Sequence, residues 1–339
     1  MPIRRRQFLL TTALLSSGLL PAAARTPTVK WRASAALPIR TQEIYPTVHN
    51  GRLVVAGGIS RRLGAPWFSE QAYSYDPATD AWTELAALPE ALHHAALTVH
   101  DGDVILAGGF NGAYSHVWRM RGAVYRLLEE GWVNDGNLPR PRAEGVLTTG
   151  PGGTVHLVTG QSPRGEDNSQ RSDHVEVVDH WIRAPGSRRW ESLAPIPTAR
   201  NSATGGWVGE QLIVSGGRTA SGNLDTTEIY DLREDRWRSA APLPLAQAGT
   251  ASAVVDDGLI IFGGEIFQPE AAVFPNVWRY SLSNDRWTEL PQMPTPRHGI
   301  GAGRIGDEVF VIGGATEPGG SGTSDVNEVL VLPVGGNGQ

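Results

Sequence analysis

The stretch "EVFVIGGATEPGGSGTSDVNEVLVLP", residues 308–333, joins an apolar run ending in paired glycine to a polar loop and a second apolar run. The same order recurs upstream. Apolar runs end at Gly57-Gly58, Gly108-Gly109, Gly216-Gly217, Gly263-Gly264 and Gly313-Gly314, and "VHLVTG" at Gly160 is a degenerate sixth. Tryptophans keep a second register at Trp31, Trp82, Trp132, Trp190, Trp237 and Trp287, each ahead of a Leu-Pro-like step at Pro38, Pro89, Pro139, Pro197, Pro244 and Pro294. The last copy has no tryptophan after it, and Trp31 has no glycine pair before it. One strand of the last unit is therefore expected at the start of the chain.

Six copies in two locked registers, about 50 residues apart, mark a repeat architecture. From Trp31 onward nearly the whole chain resembles the kelch-repeat β-propellers. That resemblance implies an all-β fold: six blades of four antiparallel strands, named a to d outward from the axis. Strand b is the apolar run, and its closing glycines serve close backbone approach or positive φ. Strand d carries the tryptophan, a ring that buries ~150–250 Å² between blades. The segment "KWRASAALP" is expected to add strand d to the sixth blade, which closes the ring and removes free sheet edges.

Composition agrees. Of 339 residues 40% are hydrophobic, enough for one large core, and the 41 glycines, 24 prolines and 11 tryptophans suit a turn-rich all-β chain. No cysteine is present, which rules out disulfides, thiolate metal sites and cysteine nucleophiles. It also removes a galactose-oxidase-type copper enzyme, whose family cofactor needs a tyrosine–cysteine crosslink.

Residues 1–24 read as a leader, and 25–339 as the propeller. Arg5 and Arg6 precede Gln7-Phe8-Leu9, an apolar stretch runs to Leu20, and "PAAA" ends it. This is a secretory signal, too short to span a membrane. The paired arginines resemble the twin-arginine type, which exports folded proteins; a general secretory leader is the plainer alternative. The expected location is periplasmic or secreted. Without the leader's three arginines, the 29 basic residues fall to 26 against 35 acids, a net charge of −9. That disfavours nucleic acid and anionic membranes as partners. The mature chain is expected to be monomeric and without a membrane span.

Loop lengths locate the working face. The a–b turns ("HNGR", "HDGD") and c–d turns ("DLREDRW", "SLSNDRW") are short, whereas b–c loops such as "QSPRGEDNSQRSDH" and "EIFQPEAAVFPN" are long and varied. Long loops on a rigid scaffold are where binding usually sits. Arginine recurs where strand a is entered from that face: Arg40, Arg142, Arg200 and Arg297. Arg200, Arg297, Gln247 and Leu92 each lie sixteen residues before their first glycine, Arg40 seventeen and Arg142 eighteen. Four guanidiniums are thus expected around the channel mouth, where the planar fork suits anions. The alternative is that they only tie loops together, as kelch arginines after the Leu-Pro step often do.

Glu43 and His94 lie fourteen residues before their glycine pairs, and Glu144 follows Arg142 as His94 follows Leu92. These three are the candidate acid–base groups. His93 and His94, read as neighbours on a strand, should point to opposite faces and not share a metal; no metal site and no cofactor are expected. Two functions remain. One is a module binding a small ligand or a protein through the long-loop face. The other follows from resemblance to the bacterial periplasmic sialic-acid mutarotases, also six-bladed kelch proteins: an arginine would hold the carboxylate of an acidic sugar such as N-acetylneuraminate while an acid–base pair opens and closes its ring.

Overall fold

The computed structural model describes residues 29–62, 65–112 and 117–333. The leader expected at 1–24 lies outside the described residues. Six four-stranded antiparallel sheets form a six-bladed β-propeller. Their innermost strands are Thr47–His49, Ala96–His100, Val146–Thr149, Thr204–Val208, Ala251–Val255 and Gly301–Ile305. In blade one, strands b to d are Arg52–Ala56, Ala72–Asp76 and Ala81–Leu85. The b strands are the apolar runs of the sequence and are almost wholly buried, as at Glu308–Ile312 in blade six.

The displaced strand is where the repeat predicts it. Lys30–Ala33 pairs antiparallel with Asn327–Val331, setting Lys30 opposite Val331 and Ala33 opposite Glu328. Trp31 then behaves like the other strand-d tryptophans. Its indole N–H donates to the Pro291 carbonyl of blade five at 3.0 Å. Trp82, Trp132, Trp237 and Trp287 donate in the same way to Ala35, Ala86, Ala194 and Ala241, each just past strand d of the preceding blade. Each ring thus fills an apolar interface while its polar edge finds a partner.

Blades are joined on the long-loop side by one backbone bond made six times. The N–H of Gly58, Gly109, Gly160, Gly217, Gly264 and Gly314 donates to the carbonyl of Leu92, Arg142, Arg200, Gln247, Arg297 and Thr41, respectively, at 2.8–3.0 Å. Each acceptor is the residue through which the next blade enters strand a. This fixes the true register. Thr41 holds the blade-one position, Arg40 lies one residue outside it, and Arg142 belongs to the series despite its longer spacing.

Removing the chain through Ala33 exposes the strand-c edge of blade six and takes the Trp31 contacts with it. A protein starting at Ser34 is expected to melt well below the longer chain, measured by circular dichroism; equal melting temperatures would refute closure by this strand.

Candidate functional site

Two residues beyond each entry residue lie Glu43, His94, Glu144, Ser202, Gly249 and Gly299. All six have positive φ, between 53° and 66°. Their backbones link around the axis: Glu43 N–H to Gly299 O (2.7 Å), His94 to Glu43 (3.2 Å), Ser202 to Glu144 (3.0 Å), Gly249 to Ser202 (3.1 Å) and Gly299 to Gly249 (2.8 Å). This belt is the floor between the channel and a cavity on the long-loop face. The cavity has a volume of about 250 Å³ and is lined by the floor residues Glu43 and His94 and by Phe68, His93, Trp118, Arg171, Arg218, Glu265 and Phe267, among others.

The left-handed turn brings Glu43, His94 and Glu144 together. His94 Nε2 lies 3.1 Å from Glu43 Oε2 and 3.3 Å from Glu144 Oε1. The same turn overturns the expectation for His93. Because His94 is not in extended backbone, the two imidazoles meet, Nδ1 to Nδ1, at 2.7 Å. His93 Nε2 donates to the Val117 carbonyl at 2.8 Å, and its ring stacks on Phe68 and Phe110. Burial, then the neighbouring His94, pushes His93 down to about 3, so it is neutral at ordinary pH.

Three further groups complete the circle. Arg218 donates to Glu265 Oε1 at 2.8 Å and to Ser202 Oγ at 3.3 Å. His298 Nδ1 stands 3.4 Å from Glu265 Oε2 and 3.8 Å from Glu43 Oε1. One group from each blade gives the order Glu43, His94, Glu144, Arg218, Glu265, His298, acid and base in turn. Arg171 joins from the rim, bonded to Glu144 at 3.3 Å. Burial alone would raise the Glu43 carboxyl; His94, with His298 and Arg218 behind it, overcomes this and holds it below the usual carboxylate range. Tyr45, beneath, donates to Glu43 at 3.3 Å. Burial, then Glu43 and Glu144, raises its phenol well above the ordinary value, so it remains a donor.

The two arginines have aromatic backing. Arg171 lies 4.7 Å from the Trp118 ring centre, and Arg218 5.2 Å from that of Phe267. Sequence reasoning missed Arg218 and Glu265, although a signal was present: both follow a glycine pair directly. That position carries Ile59, Phe110, Gln161, Arg218, Glu265 and Ala315, each bridged to the residue before the belt.

The four arginines read from the sequence lie elsewhere. Arg142, Arg200 and Arg297 are 0–1% exposed, not at the channel mouth. Each guanidinium turns into its own blade, onto a carboxylate at or beside strand c and the carbonyl ending strand b. Arg297 bonds Glu328 (2.8 Å) and Gly313 O (2.6 Å), Arg142 bonds Asp179 (2.6 Å) and Thr159 O (2.7 Å), and Arg200 bonds Glu228 and Gly216 O. The physical reason is that the left-handed residue closing strand b buries a carbonyl with no strand partner, and a long cation reaches it. In blade five Gln247 does this, donating to Gly263 O. Arg40 is at the surface, its side chain 73% exposed and 3.8 Å from Asp325.

The chain belongs to the kelch-repeat family: the family model described as the KLHDC2/KLHL20/DRC7 Kelch-repeats domain matches residues 132–314, more than half of it. It is 27% identical to Kelch-like protein terF of Aspergillus terreus over 186 residues, 52% of this chain and 39% of that one. It is 32% identical to Kelch-like protein 34 of Homo sapiens over 130 residues, 38% and 19% of the two chains. The chain thus spans well under half the length of these curated relatives. The solved structure titled "Structure of YjhT" superposes over 89% of this chain and 97% of that one, with a TM-score of 0.74 at 17% identity, a likeness of fold.

Arg297→Ala strands Glu328 and the Gly313 carbonyl in the interior and is expected to cost about 3–5 kcal/mol of stability. Arg40→Ala, at the surface, should change stability by less than about 0.5 kcal/mol. Denaturant unfolding of both variants checks the contrast.

Proposed function

We propose that this kelch propeller binds a small acidic sugar in the axial cavity of its long-loop face. The observation that carries the reading is the alternating acid–base circle on the cavity floor, with Arg218 and Arg171 beside it. The volume falls below the ~300–1,000 Å³ of drug-sized ligand pockets, which favours a single sugar ring over a peptide. Phe68, Trp118 and Phe267 supply apolar faces for such a ring. Arg218 and Arg171, not the buried Arg142, Arg200 and Arg297, take the ligand's carboxylate.

The meeting of Glu43, His94 and Glu144 favours a second reading, sugar mutarotation, in line with the resemblance to sialic-acid mutarotases. A carboxylate takes the proton of the anomeric hydroxyl while His94 gives one to the ring oxygen. The ring C–O bond breaks as the carbonyl forms, and closure on the other face reverses both transfers. Export to the periplasm or beyond belongs to the same proposal and rests on Arg5, Arg6 and the apolar run after them. Among the described residues no helix is long and apolar enough to cross a membrane.

Titration calorimetry with N-acetylneuraminate is expected to show binding. Arg218→Ala removes a charge-assisted contact worth ~1.5–3 kcal/mol, which weakens binding roughly ten- to a hundredfold. Undiminished affinity in a folded variant would refute the assignment. On the same samples, NMR should show faster anomer exchange than buffer alone; no acceleration for a sugar that binds would leave binding without catalysis. For export, replacing Arg5 and Arg6 with lysine should hold the precursor in the cytoplasm, and normal export of that variant would point to the general secretory route.

A further inference from the structure

Two residues beyond the belt, each blade sends one side chain toward the axis. The six are Tyr45, Ala96, Val146, Thr204, Ala251 and Gly301. All six line a chamber of about 100 Å³ at the top of the channel, directly under the floor. Five of them are short, and only Tyr45 is long enough to span the opening. It points up into the floor. Its hydroxyl donates to Glu43 Oε2 at 3.3 Å, and its ring centre lies 6.4 Å from that of His94. Besides Glu43, the charges that act on the phenol are Glu144 and Arg218. Glu43, Glu144 and Arg218 belong to blades one, three and four, so the hydroxyl stands at the middle of the floor.

The backbone of Tyr45 is held without help from its side chain: its carbonyl accepts from the Leu97 N–H of blade two at 3.1 Å. The phenol is therefore not needed to join the blades. What it does hold is Glu43. The oxygen it bonds, Oε2, is the one that faces His94 Nε2 at 3.1 Å. Gripped from below and from the side, that oxygen stays in place. Without the hydroxyl the carboxylate is free to turn toward His298, whose Nδ1 is 3.8 Å from the other oxygen. The ring also keeps solvent in the channel away from the pair, and polar contacts strengthen where water is excluded. We infer that Tyr45 is a positioning residue: its ring stops the axis beneath the cavity, and its hydroxyl aims Glu43 at His94. The effect on rate rests on the mutarotation reading; the closure of the axis does not.

The test compares the full chain with Tyr45→Phe and Tyr45→Ala, each checked for folding by its melting curve. Anomer exchange of N-acetylneuraminate is followed by NMR. Tyr45→Phe keeps the ring and loses the hydroxyl. It is expected to lower kcat roughly ten- to a hundredfold, the scale of a misplaced catalytic group. KM should stay unchanged, because the phenol lies under the floor and the ligand above it. Tyr45→Ala should lose at least as much and leave a hole the shape of the missing ring. p-Cresol and toluene are both expected to fill it, raising the melting temperature of the alanine variant but not of the other two proteins. Only p-cresol, which brings the hydroxyl, should restore the rate. Undiminished turnover in Tyr45→Phe would overturn the positioning role, as would equal rescue by both compounds. A folded alanine variant that takes up neither compound would overturn the closure. If the unsubstituted chain does not speed anomer exchange, the mutarotation reading falls and the positioning role with it, while uptake of the two compounds still decides the closure.

Discussion

The distance between neighbouring blades is set by the backbone bond from each strand-b terminus to the next blade's entry residue. It requires two backbones to touch. A Cβ on Gly57, Gly108, Gly216, Gly263 or Gly313 would sit 2.1–2.7 Å from the very carbonyl that accepts the bond, closer than any side chain tolerates. Blade three shows the one way round it. Thr159 occupies the first-glycine place at φ 54°, and its hydroxyl turns the contact into a hydrogen bond to Arg200 O. The degenerate "TG" is therefore a chemical substitute for the glycine pair.

From that contact the site follows. The chain must turn sharply after meeting the preceding blade, and it does so through a left-handed residue two positions on. Four of those six residues have side chains, and all four are polar: two glutamates, a histidine and a serine. Gly249 and Gly299 leave the remaining third of the floor low. A Cβ on Gly299 would lie 2.7 Å from Glu43 Oε1, so glycine there lets the carboxylate lean toward His298 of the adjoining blade. Buried charges at these spacings persist only when paired, and each carboxylate of the circle has a basic partner: Glu43 and Glu144 at His94, and Glu265 at Arg218.

The buried arginines and the ring arginine show how one residue type serves two purposes. Arg297 and Arg200 answer a local demand, an unpaired carbonyl and a strand-c acid in their own blade. Arg218 answers a global one, since its partners Glu265 and Ser202 come from another blade and from the belt. Spacing within a repeat detects the first kind, because each copy presents the same demand. It cannot detect the second, because a residue's partner in the adjoining blade lies in a different copy.

The sequence by itself determined the number of blades, the strand order within each and the transfer of the last strand to the N-terminus, because glycine and tryptophan at fixed intervals leave few ways to pack. It also placed Glu43, His94 and Glu144 at equivalent positions. Only the tertiary structure decided which way the side chains turned. The left-handed belt folds His93 onto His94, where an extended strand would have parted them. The entry arginines reach inward to carbonyls that exist only once strand b has ended in a turn. His298 meets Glu43 because closing the ring brings the last blade beside the first, a proximity no linear spacing encodes.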